Sequence, residues 1–160
     1  NVDIAINAIK AASKPHHFLS VTKEGNSAIF STAGNEDCHV ILRGSQQATN
    51  YDAQSINNTL TKLTAADLDP RVMIDCSHGN SQKDHEKQKQ VIAHVATQVA
   101  NGSHVIIGAM IESNLLPGKQ TLQPHQPLTH GQSITDACMG WDDTVTALHA
   151  LAGAVKQRRQ

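Results

Sequence analysis

Apolar positions recur at helical spacing over residues 2–12, where Val2, Ala5, Ile6 and Ile9 share one face. Pro15 then stops that helix and turns the chain into the extended run His17-Phe18-Leu19-Ser20-Val21. Gly25-Asn26 and Gly34-Asn35 are turn signals that bracket Ala28-Ile29-Phe30 and precede the run 38–44, so this stretch predicts a hairpin followed by a further strand. A helix over 52–65 places Ile56, Leu60 and Leu63 inward, although its Asn and Thr residues give it a low intrinsic propensity. After Pro70, the short run Val72-Met73-Ile74-Asp75-Cys76 lacks polar alternation, as a strand buried on both faces would. Residues 83–100 predict a helix that buries Val91, Ile92, Val95 and Val99, leaves Lys83, Lys87 and Lys89 in solvent, and closes at Asn101-Gly102. The run 105–111 repeats the buried-strand pattern. A polar loop of about 25 residues follows, long enough to suggest function rather than connection alone. The final helix, from Asp142 or Asp143, is expected to bury Val145, Leu148, Leu151, Ala152 and Val155.

Strands that alternate with helices, two of them apolar throughout, predict an α/β protein with a parallel sheet covered by helices. No internal repeat, low-complexity tract or linker divides the chain, so residues 1–160 read as part of a single domain.

Composition narrows the function classes. The 160 residues carry 13 Lys+Arg against 14 Asp+Glu, a formal net charge of -1, which excludes a basic trap for nucleic acid. With two Phe, one Tyr and one Trp, the chain also has no stacking platform for single strands. No stretch approaches the roughly 18 apolar residues of a membrane helix. The three cysteines, Cys38, Cys76 and Cys138, are widely spaced and form no CxxC pair, which argues against a disulfide framework or zinc ribbon and fits a reducing cytoplasm. Small-molecule chemistry and an interaction module remain. The chain opens on Asn1 directly at a helix, which predicts a segment upstream of it.

In parallel α/β folds the ligand site lies beyond the carboxyl ends of the strands. Those ends carry Arg43-Gly44, then Asp75-Cys76-Ser77-His78, then Glu112-Ser113, and the loop before the last helix carries Thr135-Asp136-Ala137-Cys138. An imidazole with two carboxylates suits a borderline divalent ion such as manganese, iron, cobalt or zinc, which can polarise a carbonyl. Arg43 ahead of a glycine suits an anionic substrate group, because the guanidinium fork matches phosphate or carboxylate. Each residue also has a plainer reading. His78 can be a hydrogen-bonded surface residue, Asp136 a turn former, Asp75 a backbone acceptor, Arg43 half of a surface ion pair, and Cys76 and Cys138 small buried hydrophobes.

Four runs go further. His39-Val40-Ile41-Leu42-Arg43-Gly44, Val72-Met73-Ile74-Asp75-Cys76-Ser77-His78-Gly79-Asn80-Ser81, Gly108-Ala109-Met110-Ile111-Glu112-Ser113 and Gly131-Gln132-Ser133-Ile134-Thr135-Asp136-Ala137-Cys138-Met139-Gly140-Trp141 resemble the class I, feedback-regulated 3-deoxy-D-arabino-heptulosonate-7-phosphate (DAHP) synthases. Their order and spacing match along essentially the whole chain. The resemblance implies a (β/α)8 TIM barrel enzyme that condenses phosphoenolpyruvate with erythrose 4-phosphate, releases phosphate and opens the shikimate route to aromatic amino acids. It implies a metal held by a Cys, a His, a Glu and an Asp, of which His78, Glu112 and Asp136 match the last three and act as the catalytic group. It makes Arg43 a ligand of the phosphoenolpyruvate phosphate. It places Phe18 and Ser20 in an effector pocket for an aromatic amino acid, and it implies a cytoplasmic homo-oligomer that engages neither nucleic acid nor membrane.

Such a barrel needs about 250 residues. The resemblance therefore implies a C-terminal part, with about the last three barrel strands, their helices and a β-hairpin insertion, and with the N-terminal half and the metal-binding Cys elsewhere. On this reading the 160 residues alone are expected to be inactive, and their opened sheet is expected to associate. Two other readings stay open: a non-catalytic half-barrel module that binds an aromatic amino acid or a partner chain, and another phosphate-sugar aldolase on a related barrel.

Overall fold

A computed structural model describes all residues, 1–160. The elements run α1 (Val2–Ala12), β1 (His16–Val21), β2 (Ser27–Thr32), β3 (Val40–Leu42), α2 (Ala53–Ala65), β4 (Val72–Asp75), α3 (Gln88–Ala100), β5 (Ile106–Met110) and α4 (Trp141–Arg158). β1 and β2 form a separate antiparallel hairpin, while β3, β4 and β5 make a parallel sheet in that order, joined through α2 and α3. The α/β class and the parallel sheet expected from the sequence are both present.

One face of the parallel sheet carries Val40, Leu42, Val72, Ile74 and Ile106, all buried against Ile56 and Leu63 of α2 and Val91, Ile92, Val95 and Val99 of α3. Helix α2 forms despite its poor propensity because its polar residues bond locally. Asp52 caps it by accepting from Ser55 N–H at 2.9 Å and Ser55 Oγ at 2.6 Å, while Thr59 and Thr61 hydroxyls donate one turn back to Ser55 O and Asn57 O. The two Ser55 donors also hold the Asp52 carboxyl below the usual aspartate range. Asp52→Ala is expected to cost about 1 kcal/mol of stability. Urea titration that returned an unchanged midpoint would show that the cap contributes nothing.

Three expectations need correction. First, residues 72–76 are buried as expected apart from the partly covered Met73, but the flanking strands β3 and β5 are not buried on both faces. Ile41, which pairs with Met73, is 51% exposed, and Ile107, at the irregularity where β5 shifts register against β4, is 46% exposed. The lack of polar alternation thus reflects one covered apolar face and a second, open one.

Second, the helix expected from residue 83 begins at Gln88. Gln82 and Lys83 adopt left-handed backbone (φ 57° and 61°), and Lys83 N–H donates to His78 O at 2.7 Å, so residues 78–87 form successive turns instead. Lys83 is consequently displaced from the solvent face of a helix. The strand expected over 38–44 likewise contracts to Val40–Leu42.

Third, α4 is rotated relative to its most apolar face. Thr144, Ala147 and Ala154 are buried, whereas Leu148 is half exposed and Ala152 is exposed. Val145, Leu151 and Val155 are only partly covered. α4 packs on α3 through small side chains that permit close approach, and its ends are pinned by Lys89 to Asp143 (3.2 Å) and by Arg158 Nη1 to Ser103 O (2.8 Å).

Candidate metal and anion site

β3, β4 and β5 all end at one edge, as parallel strands must, and their exits are cross-tied there. The strands themselves stop short of the site residues. Backbone packing at their exits places those residues. Asn80, 4% exposed, donates through Nδ2 to Leu42 O (3.0 Å) and Asp75 O (2.8 Å), and its Oδ1 accepts from Asn50 N–H (2.9 Å). Asn50 in turn accepts from Gly44 N–H at 2.8 Å, and Asn80 N–H donates to Arg43 O at 3.1 Å. This amide latch joins the Arg43 segment to the His78 segment. Between them Gly44 (φ 70°) and Gly79 lie backbone to backbone. A Cβ on Gly44 would fall 2.6 Å from Asn80 N, and one on Gly79 would fall 2.5 Å from Ser45 N.

A second amide sets the end of β5. Gln88, on the first turn of α3 and 1% exposed, accepts from Glu112 N–H through Oε1 (3.0 Å) and donates through Nε2 to Glu112 O (3.1 Å). Glu112 O also accepts from Met139 N–H at 2.9 Å. The Glu112 peptide therefore links α3 to the loop that carries Asp136. Gln88 was not singled out from the sequence, yet its signal is there: it occupies the apolar stripe of Val91, Ile92 and Val95, where an amide has to find partners. Asn80 leaves no comparable trace, since its partners lie 30 and 38 residues away at Asn50 and Leu42.

On this frame His78, Glu112 and Asp136 converge, each half-buried, with one ligand atom apiece and all of these within 4.8 Å of one another. His78 Nε2 approaches Glu112 Oε1 at 3.5 Å. Arg43, His78 and Lys83 line one cleft of about 580 Å³ with Gly44, Ser45, Gln46, Gly79 and Gln82, and no hydrophobic side chain faces it. The structure thus brings together the four residues picked from the strand ends and adds Lys83, which puts two cations and no carboxylate among that cleft's lining. Phe18 and Ser20 lie apart, on β1 of the hairpin. Phe18 stacks on its cross-strand partner Phe30 (centroids 6.0 Å apart) and borders a second cleft with His16, His17, Thr32, Gly34 and Asn35. Ser20 faces Ala28 in the same register.

Electrostatics favour a cation among the three converging groups. Burial raises the Glu112 carboxyl above the usual range; the neighbouring charges of Asp136 and Asp75 push the same way, while His78 and Arg43 oppose. A group whose folded-state proton affinity is raised destabilises the fold as pH climbs through the carboxylate range, because the folded state must then ionise an unwilling acid. Glu112→Gln is therefore expected to make the metal-free protein more stable near neutrality and equally stable well below pH 4. An E112Q melting temperature at or below wild type near neutrality would contradict this account.

The cysteines divide. Cys76 is fully buried and its thiol is pushed up to about 12 by burial and the Asp75 charge, so it packs as a small hydrophobe, as expected. Cys138 is only half-buried; burial raises its thiol as well, with Glu112 and Asp136 adding to the effect against a Ser133 hydrogen bond. A His nitrogen with two hard carboxylates, set where acid groups crowd, fits a borderline divalent ion.

A Phe-sensitive phospho-2-dehydro-3-deoxyheptonate aldolase of Escherichia coli K12 is 52% identical over 158 residues, covering 99% of this chain and 45% of that protein. A tyrosine-inhibited phospho-2-dehydro-3-deoxyheptonate aldolase of Schizosaccharomyces pombe is 47% identical over 164 residues, covering 99% and 44%. The solved phospho-2-dehydro-3-deoxyheptonate aldolase of Francisella tularensis superposes with a TM-score of 0.94 at 49% identity over 100% of this chain and 46% of that one. The chain thus spans somewhat under half the length of these relatives. Residues 1–149 match the model of the DAHP synthetase I family, and with the converging strand-end residues and the identities above, the chain belongs to that family.

Proposed function

We propose that the chain is the C-terminal part of a single (β/α)8 barrel domain that condenses phosphoenolpyruvate with erythrose 4-phosphate to DAHP and phosphate. The convergence of His78, Glu112 and Asp136 within 4.8 Å, with Arg43 at the same mouth, carries this reading. The open apolar face of the sheet, with Ile41 and Ile107, supports it too, because a closed barrel would turn that face inward onto the remaining strands.

His78 through Nε2, with the Glu112 and Asp136 carboxylates, holds a divalent ion, of which manganese, iron, cobalt and zinc all suit the donor set. When bound, that ion supplies Lewis acidity to the aldehyde of the sugar phosphate or to a water. Arg43 grips the phosphate of phosphoenolpyruvate, and Lys83 adds a second cation to the same cleft. Asp136, beside His78 and Glu112, can also contact the sugar hydroxyls or accept a proton. Phe18 and Ser20 take part in recognising an aromatic amino acid effector, in keeping with the phenylalanine sensitivity and tyrosine inhibition in the relatives' names. The complete enzyme is a cytoplasmic homo-oligomer.

The test is phosphoenolpyruvate consumption with erythrose 4-phosphate and manganese, by the full-length polypeptide that carries these residues and by residues 1–160 alone. Turnover by the longer product only is expected. A folded full-length product that consumes no phosphoenolpyruvate, with or without metal, would sink the synthase reading.

A further inference from the structure

An imidazole offers a metal only one lone pair, and which nitrogen carries it is set by what the other nitrogen bonds. In this structure the other nitrogen meets a built site. Asp75 is 2% exposed at the end of β4, with both carboxylate oxygens committed. Oδ1 accepts from Ser77 N–H at 2.8 Å and from Ser77 Oγ at 2.6 Å, and Oδ2 lies 2.8 Å from His78 Nδ1. Ser77 Oγ lies 2.8 Å from the same Nδ1. Its single proton goes to the near carboxylate, in preference to the Met110 sulfur at 3.9 Å, so it turns a lone pair toward the ring.

Two acceptors therefore converge on His78 Nδ1. An unprotonated Nδ1 would set its lone pair against both, whereas an N–H satisfies them. We propose that Asp75, braced by Ser77, is a positioning residue that fixes His78 in the Nδ1–H tautomer, so that Nε2 is the lone pair presented to Glu112 and Asp136. The metal consequence rests on the metal reading given above, but the tautomer does not. His78 sits at φ 45°, a left-handed conformation that a side chain disfavours, and Asn80 Nδ2 anchors the Asp75 carbonyl at 2.8 Å to keep the turn in place.

Asp75→Asn tests the idea because it keeps shape and reverses one polarity. Ser77 presents two donors at one end of the side chain, so the Asn carbonyl must face Ser77 and its NH2 must face His78. Nδ1 then has to accept, the Ser77 hydroxyl turning its proton from the weaker amide oxygen to the ring, and the ring proton moves to Nε2. The experiment is long-range 1H–15N correlation on the 15N-labelled, metal-free protein at mildly alkaline pH, with the His78 ring assigned by its loss in His78→Gln. Wild type should show a protonated Nδ1 and a bare Nε2; Asp75→Asn should show the reverse, together with a Zn2+ affinity about 10- to 100-fold weaker. Ser77→Ala should retain the wild-type tautomer, since Oδ2 still accepts. A protonated Nε2 in wild type, or an Asp75→Asn protein that keeps the wild-type tautomer, would overturn the proposal. Should Asp75→Asn fail to fold, the wild-type spectrum decides by itself. A wild-type protein with the stated tautomer but no Zn2+ binding would support the lock and overturn the metal reading instead.

Discussion

His78→Ala in the full-length polypeptide is expected to reduce metal-dependent turnover to background and to weaken Mn2+ binding by more than about a hundredfold, the upper end of what losing a mere partner of a ligand costs. The reasoning starts from the donor set. His78 provides the nitrogen among three groups whose ligand atoms lie within 4.8 Å, and the other two are carboxylates that repel one another at that range. Remove the imidazole and the site keeps its negative crowding without the ligand that points Nε2 toward Glu112. His78 is not part of the buried core, so the fold should survive and the loss should be one of chemistry. Equilibrium dialysis with Mn2+ and a coupled phosphate-release assay measure the two quantities. A His78→Ala protein that binds Mn2+ with wild-type affinity would remove His78 from the metal site.

Gly44→Ala is expected to be the most damaging single methyl that can be added near the site, at about 2 to 5 kcal/mol. Part of that cost is the left-handed backbone, φ 70°, which an L-residue occupies at about 1 to 2 kcal/mol. The rest is collision. The new Cβ would lie 2.6 Å from Asn80 N and 2.7 Å from Gly79 C, both backbone atoms, so no side chain can rotate away. Overpacking of this kind adds about 1 to 3 kcal/mol and is relieved only by separating the two strand exits. Relief has a functional cost, because Arg43 and His78 sit on either side of that contact and line the same cleft. Thermal unfolding should show a lowered midpoint, and the KM for phosphoenolpyruvate should rise in whatever protein folds. A midpoint within a degree of wild type would mean that the two backbones are not in the contact described.

The glycine pair and the two amides illustrate what a linear reading misses. His78, Glu112, Asp136 and Arg43 were legible because each stands at the end of an apolar run or in a motif, and parallel topology sends all such ends to one edge. Gln88 and Asn80, which hold those ends in place, act through backbone atoms of segments up to 38 residues away, and no local pattern encodes that pairing. The spacing of Lys83 fits a helix; only the left-handed turn at Gln82 and Lys83 moves it into the cleft. The buried face of α4 differs from the most apolar one for a related reason. Its leucines outweigh its alanines in hydrophobicity, but close approach to α3 selects Thr144, Ala147 and Ala154 by size.

The sequence by itself determined the order of helices and strands, the hairpin, the α/β class and the family, because periodicity, turn residues and motif spacing are properties of neighbours along the chain. Tertiary structure alone decided which sheet face is covered, how the strand exits are tied together, which nitrogen of His78 meets Glu112, and that Lys83 joins Arg43. Each of those depends on distances between segments far apart in sequence, and such distances exist only once the chain has closed on itself.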